Sequence, residues 1–210
     1  MIRRSLHLLK YYLNPFDYKE FNFCSFDIMV PLPPNTLNKL HKILDKTKLK
    51  KTLLLRVSDG TLLGLVRDEA LIPHDNDVDF DVVWSKKSVG DVRSIAKSED
   101  WRLIREVKYC GRIQQLAYHD GDGAIFDFIF WAVDDRFSIN FSEPHAYRVM
   151  PSKFLTELVS SDVRGFEYDV PESLDDWLVY RYGLNWEVPQ SAKGDWKLDC
   201  GDLAKAWWIK

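Results

Sequence analysis

Cysteine is scarce in this chain. Cys24, Cys110 and Cys200 are the only three in 210 residues; they lie far apart and form no CxxC pair. A disulfide framework and a zinc knuckle are therefore excluded, and a reducing, cytoplasmic setting is the default expectation. Long apolar runs are also missing: none approaches the ~18 residues of a membrane-spanning helix. The N-terminal stretch carries Arg3 and Arg4 in the manner of a signal peptide, but His7 and Lys10 break its short apolar part. With no small-residue cleavage site following, it reads as mature sequence. Positive charge is not in excess: 29 Lys and Arg stand against 32 Asp and Glu, for a net charge of −3. Non-specific nucleic-acid binding, which needs a basic face, is disfavoured. Internal repeats and low-complexity segments are absent too. What remains is a chain long enough to bury a core, suited to one domain with a small appended lobe.

Taken in order, residues 1–14 suit a short amphipathic helix with one basic side, and Phe16 to Val30 read as irregular and aromatic. Asn35 is a candidate N-cap for a helix with Leu37, Leu40, Ile43 and Leu44 on one face. Lys39, Lys42 and Lys46 lie on its other face, which reads as solvent-facing. Strands are expected at Leu53–Val57, Asp77–Trp84, Trp101–Tyr109, Arg112–Tyr118 and Ala124–Trp131, with helices at Thr61–Arg67 and Lys87–Ser98. His119-Asp120-Gly121-Asp122-Gly123 is a hairpin signal. Short strands follow near Tyr147–Met150 and Val163–Tyr168, then a helix from Leu174 to Tyr182 stopped by Gly183. Strands and helices alternate without strict βαβ spacing. The expected class is α+β: a mixed or antiparallel sheet flanked by helices, with a C-terminal helical and strand extension. The expected division is an N-terminal helical segment packing on the core (1–50), a main domain (51–190) and a C-terminal tail (191–210).

Asp75, Asp77, Asp79 and Asp81 place a carboxylate at every second position. Side chains alternate along a strand, so a regular strand puts all four on one face, about 6.6 Å apart. Val78, Phe80 and Val82 take the other face, which reads as core. Asp is a poor strand former, and crowded carboxylates are costly to keep ionised without cations. Mg²⁺ or Mn²⁺, two ions for preference, is the natural relief, and such a pair serves phosphoryl transfer. A calcium loop fails on spacing: counted from Asp75, Phe80 stands where glycine is needed and Lys86 where glutamate is needed. A solvated edge strand is the bland rival.

Asp127 is the one ionisable group in the apolar run Ala124–Trp131. A lone buried carboxylate needs a charged partner or a metal. A salt bridge to an arginine such as Arg112 is one solution. The preferred one makes Asp127 a third metal ligand that also takes a proton from an attacking hydroxyl. Upstream, Ser58-Asp59-Gly60-Thr61 is a turn that opens a helix. Backbone N–H groups there suit an anion. Ser58, Gly60, Thr61 and Arg67 are the candidate phosphate-binding residues.

Gly60-Thr61, Asp77-Val78-Asp79 and Phe126-Asp127-Phe128 resemble the nucleotidyltransferase pattern of the DNA polymerase β superfamily. More narrowly, Gly60 to Arg67 followed by Ile72 to Asp79 resembles the LicD family, which includes bacterial phosphocholine transferases and is related to fukutin and fukutin-related protein. Val163–Pro171 and Arg181–Pro189 resemble later segments of that family, so the likeness runs from about Leu53 to Pro189. His74 stands where the family usually has tryptophan, and Asn76 replaces its middle acidic residue. The resemblance implies transfer of a phospho-alcohol (phosphocholine, or the ribitol or glycerol phosphate type) from a CDP-activated donor to a glycan hydroxyl, with CMP leaving. It implies metal binding by Asp77, Asp79 and Asp127, and donor phosphates at Ser58, Gly60, Thr61 and Arg67. Asp75 becomes an outer ligand or a positioner of His74.

The implied partners are the CDP-alcohol and a glycan acceptor, lipid-linked in one version; nucleic acid is not among them. The basic N-terminus and Trp207-Trp208 near the C-terminus are candidates for peripheral contact with the inner face of a membrane. Three rivals stand beside this reading. They are a nucleotidyltransferase using an NTP, a non-catalytic carbohydrate-binding module and a two-carboxylate glycoside hydrolase. The hydrolase leaves the glycine turn unexplained, and the binding module leaves Asp127 unexplained.

Overall fold

The structure is a computed structural model, and it describes residues 16–20, 31–48, 53–143, 146–189 and 207–208. Eleven strands and five helices run in the order β1 (Phe16–Glu20), α1 (Thr36–Lys48), β2 (Leu55–Val57), α2 (Asp59–Asp68), β3 (Asp77–Val83), α3 (Lys86–Ser98), β4 (Arg102–Tyr109), β5 (Arg112–His119), β6 (Ile125–Val133), β7 (Phe137–Glu143), β8 (Ala146–Pro151), α4 (Lys153–Thr156), β9 (Leu158–Val163), β10 (Phe166–Pro171), α5 (Leu174–Tyr182) and β11 (Trp207–Trp208) among the described residues. The fold is α+β with a mixed sheet, in the class the sequence pattern predicts.

Strand β6 is the hub of the sheet. Its first half pairs antiparallel with β5 on one side and parallel with β3 on the other. Beyond β5 lie β4 and β1; beyond β3 lies β2. The end of β6 runs on to pair with β7, which continues to β8 and β11. Among the described strands only the β3–β6 pair is parallel, and it aligns Asp79 with Asp127. Strands β9 and β10 form a separate hairpin.

Alternation along β3 and β6 divides the sheet by chemistry. Val78, Phe80 and Val82, with Phe126, Phe128 and Phe130, are fully buried. Phe80 stacks on Phe128 and Trp101 on Phe126, with ring centroids 4.9 and 4.2 Å apart. Each such side chain contributes about 1.5–3 kcal/mol by burial. Leu40 and Ile43 of α1, Leu62 and Leu65 of α2, and Val92 and Ile95 of α3 belong to the same core. The opposite parity carries Asp77, Asp79 and Asp127.

Several expected elements differ in detail. The stretch read as irregular contains β1, so the first 50 residues supply a strand as well as a helix. The expected strand at Val163–Tyr168 is a hairpin, turned by Arg164 (φ 54°) and Gly165 (φ 82°). Strand β7 was not expected at all. The lysine face of α1 is paired rather than simply solvated: Lys39 reaches Asp120 and Asp122 in the β5–β6 turn, and Lys42 and Lys46 reach Glu99. The expected helix at 1–14 lies outside the described residues, as does most of the tail at 191–210. No described helix is long and apolar enough to cross a membrane.

Candidate active site

Parallel pairing of β3 and β6 collects three carboxylates that are far apart in the chain. Asp77, Asp79 and Asp127 each offer an oxygen, and these lie within 4.8 Å of one another. They form one wall of a cavity of about 390 Å³. Asp59, Gly60, Asp75, Asn76, Arg105, Gln115, Ile129, Arg148, Arg181 and Tyr182 complete its lining.

The glycine turn stands behind this wall. Ser58 N–H donates to Asp79 O at 3.0 Å, and Asp79 N–H donates to Thr61 Oγ1 at 2.9 Å. Both residues are 1% exposed, so their hydrogen bonds fix the backbone of Asp79 from within rather than facing the cavity. Gly60 faces it directly; a Cβ there would collide with Asp75 Oδ2. A side chain there would push the Asp75 carboxylate out of its place beside the helix start. Arg67 sits in the last turn of α2, forks onto Asp68 and is not among the cavity-lining residues. The structure thus brings Gly60, Asp77, Asp79 and Asp127 together, with Ser58 and Thr61 beneath them and Arg67 apart.

The outer members of the comb part company. Asp75 precedes β3, accepts from Asn76 N–H at 3.0 Å and lines the cavity. Asp81 is structural. Its carboxylate meets Arg56 at 2.6 Å and accepts from Trp131 Nε1 at 2.6 Å, with both charged side chains almost fully buried. His74 is exposed and does not line the cavity.

Electrostatics single out the inner members. Burial pushes the Asp77 and Asp79 carboxyls well above the ordinary carboxylate range, and neighbouring aspartates push them further. Burial also raises Asp75. Asp127 is raised to about 6 by burial, against the pull of Arg105 and the Gln115 hydrogen bond. Gln115 Nε2 donates to Asp127 Oδ2 at 2.5 Å, and Arg105 lies 3.9 Å from the same oxygen. The cation beside Asp127 is therefore Arg105; Arg112 lies over the Trp84 ring instead. Asp127 Oδ1 is buried without a hydrogen-bond partner among the described residues. Three clustered hard oxygen donors, one of them orphaned, fit a divalent cation such as Mg²⁺ or Mn²⁺.

The cavity lining also carries a carboxylate held by two arginines. Asp59 (φ 41°) accepts from Arg181 Nε at 2.5 Å and from Arg148 Nη1 at 3.2 Å. Burial would raise its carboxyl, but the two guanidiniums outweigh that and hold it below the usual range. Burial pushes the Tyr182 hydroxyl well above its ordinary value.

Sequence reasoning missed Asp59, Arg105, Gln115, Arg148 and Tyr182 as cavity residues. Asp59 had a signal, standing inside the chosen turn. Arg181 opened the family-like segment, although no role was given to it. Arg105, Gln115 and Arg148 had none, because separate strands bring them in.

The fold is of nucleotidyltransferase type. A family model described as "LicD/FKTN/FKRP, nucleotidyltransferase domain" matches residues 56–173, more than half of the chain, and the chain belongs to this LicD family. The sequence matches none of the curated proteins compared with it. Among solved structures, the lincosamide antibiotic adenylyltransferase LnuA with lincomycin bound is similar, with a TM-score of 0.48 and 9% identity over 71% of this chain and 86% of that one. At that distance the likeness bears no functional argument.

Proposed function

We propose that this chain is a divalent-cation-dependent transferase. It moves a phospho-alcohol from a CDP-activated donor to a hydroxyl of a glycan and releases CMP. One observation carries the reading: Asp77, Asp79 and Asp127 gather their oxygens within 4.8 Å in a cavity that Arg105, Arg148 and Arg181 also line. Membership of the LicD family supplies the reaction class.

Asp77 and Asp79, with Asp127 Oδ1, would hold Mg²⁺ or Mn²⁺. When bound, the cation would neutralise charge on the attacking and leaving oxygens. The acceptor hydroxyl oxygen attacks the phosphorus that bears the alcohol, and a new P–O bond forms to the glycan. The bond to the oxygen bridging the two phosphates breaks, and CMP leaves with that electron pair. Asp127 takes the proton of the acceptor hydroxyl. Gln115 and Arg105 hold Asp127 Oδ2 and leave Oδ1 for the cation. Thr61 and Ser58 hold Asp79 in register. In this proposal the reaction runs in the cytoplasm, on a glycan that is lipid-linked at the membrane's inner face.

Thermal melting with CDP-choline, CDP-ribitol, CDP-glycerol and CTP, each with and without Mn²⁺, tests this. One CDP-alcohol raises Tm only when Mn²⁺ is present, and CMP appears when a glycan acceptor is added. Asp77→Asn and Asp79→Asn each abolish CMP release while unfolding stays cooperative. A Tm shift by CTP alone would favour an NTP-using enzyme. No shift by any nucleotide, with or without Mn²⁺, would overturn both transferase readings.

A further inference from the structure

Tyr180 and Tyr182 stand two residues apart at the end of α5, and their hydroxyls are in different situations. The Tyr180 hydroxyl donates to Val149 O of β8 and so ties the helix to the sheet. Tyr182 lines the cavity of the three carboxylates. Among the described residues its hydroxyl has no hydrogen-bond partner. Gln115, by contrast, donates to Asp127, and Arg148 and Arg181 donate to Asp59.

The ring of Tyr182 is fixed although its hydroxyl is not. It meets Trp177 edge to face with the centroids 6.2 Å apart, and Trp177 is buried beneath Arg56. Arg181 lies over the Tyr182 ring at 4.9 Å. Gly183 (φ 88°) ends the helix directly after it, and its N–H donates to Val179 O at 2.8 Å. Burial keeps the phenol protonated, and Asp59, Asp79 and Asp75 reinforce that against the pull of Arg181. All three aspartates line the same cavity. A phenol that keeps its proton is a hydrogen-bond donor. A ligand that fills the cavity displaces water from this donor and must bring an acceptor in its place.

We propose that Tyr182 is a binding residue for the donor, its hydroxyl donating a hydrogen bond to a phosphate oxygen of the ligand held at Asp77, Asp79 and Asp127. The inference rests on the donor reading above and deepens it, because phosphate oxygens are the acceptors that such a ligand brings to a cation on these carboxylates. The two tyrosines of α5 then have separate duties: Tyr180 holds the helix, and Tyr182 holds the ligand.

Isothermal titration of the full chain with inorganic pyrophosphate in the presence of Mn²⁺ tests the contact, with thermal melting of the same samples. Tyr182→Phe removes the hydroxyl and keeps the ring. It weakens pyrophosphate binding about tenfold, a loss of ~1.4 kcal/mol, and keeps the wild-type Tm and Mn²⁺ affinity. Tyr180→Phe has the opposite pattern: its Tm falls, and its folded fraction binds pyrophosphate as the wild type does. Wild-type pyrophosphate affinity in Tyr182→Phe would overturn the contact, and so would a wild type that takes no pyrophosphate. A lowered Tm or a failure to fold in Tyr182→Phe would make its hydroxyl structural and overturn the contact as well. Tyr182-dependent pyrophosphate binding by a chain that no CDP-alcohol stabilises would support the contact and defeat the donor reading. A CDP-alcohol that raises Tm equally in the wild type and in Tyr182→Phe would do the reverse.

Discussion

Asp79 and Asp81 stand two residues apart on the same face of β3. Asp81 has Arg56 and the Trp131 N–H at 2.6 Å each, and Arg56 in turn lies over the Trp177 ring at 4.8 Å. Its charge is matched where it sits. Asp79 faces Asp77 and Asp127, and burial and those neighbours push its carboxyl far up. One end of the strand is a finished ion pair; the other is a negative charge awaiting a cation. Spacing alone makes the two aspartates equivalent. Partners from β2, β6 and α5 make them different, and that contrast marks where chemistry can happen.

Substitutions break the contrast from either end. Asp81→Asn leaves the Arg56 guanidinium buried without its counter-charge, and that type of loss costs about 3–5 kcal/mol. A urea titration should show the midpoint fall sharply with the slope unchanged. An Asp81→Asn protein as stable as the wild type would show that Asp81 is not structural. Asp79→Asn has the opposite sign. It relieves carboxylate repulsion in the metal-free protein, and stability rises by about 0.5–2 kcal/mol, as is common when a functional site is neutralised. Destabilisation by Asp79→Asn would mean that its charge is already paired.

The pH dependence sharpens the same point by a smaller effect. Asp127 has a folded pKa of about 6, above its unfolded one, so it holds more proton in the metal-free native state than in the unfolded state between about 4 and 6, and Asp77 and Asp79, also raised, act in the same direction. Their contribution to metal-free stability is therefore lost as pH rises through that window. Protons and cation compete for the same oxygens, so the Tm gain from Mn²⁺ should be full at pH 7.5 and shrink below about pH 6. A gain independent of pH would place the cation elsewhere.

Legibility in the sequence followed the range of the interactions. Strands β3 and β6 and the turn before α2 were readable because alternation and a glycine turn are local patterns. Asp127 was readable because a lone carboxylate among Ile125, Phe126, Phe128 and Ile129 is a conflict visible in the chain itself. Strand β7 was not, since Ser138 and Asn140 break its apolar character. Both are fully buried. Asn140 Nδ2 donates to Gln114 O and Phe130 O at 3.0 and 2.9 Å, partners that only the folded sheet supplies. Arg148 and Arg181 belong to the same case: tertiary placement, not spacing, brings them to Asp59. The Arg164-Gly165 turn did carry a local signal, a glycine in mid-strand.

The central claim is that Asp77, Asp79 and Asp127 are a divalent-cation site. Titration of the metal-free chain with Mn²⁺ at pH 7.5, followed by electron paramagnetic resonance, tests it most directly. The wild type should bind Mn²⁺, Asp81→Asn should bind it as well wherever the variant is folded, and Asp79→Asn should lose it. Mn²⁺ binding that survives Asp79→Asn, or a wild type that binds none, would contradict the assignment.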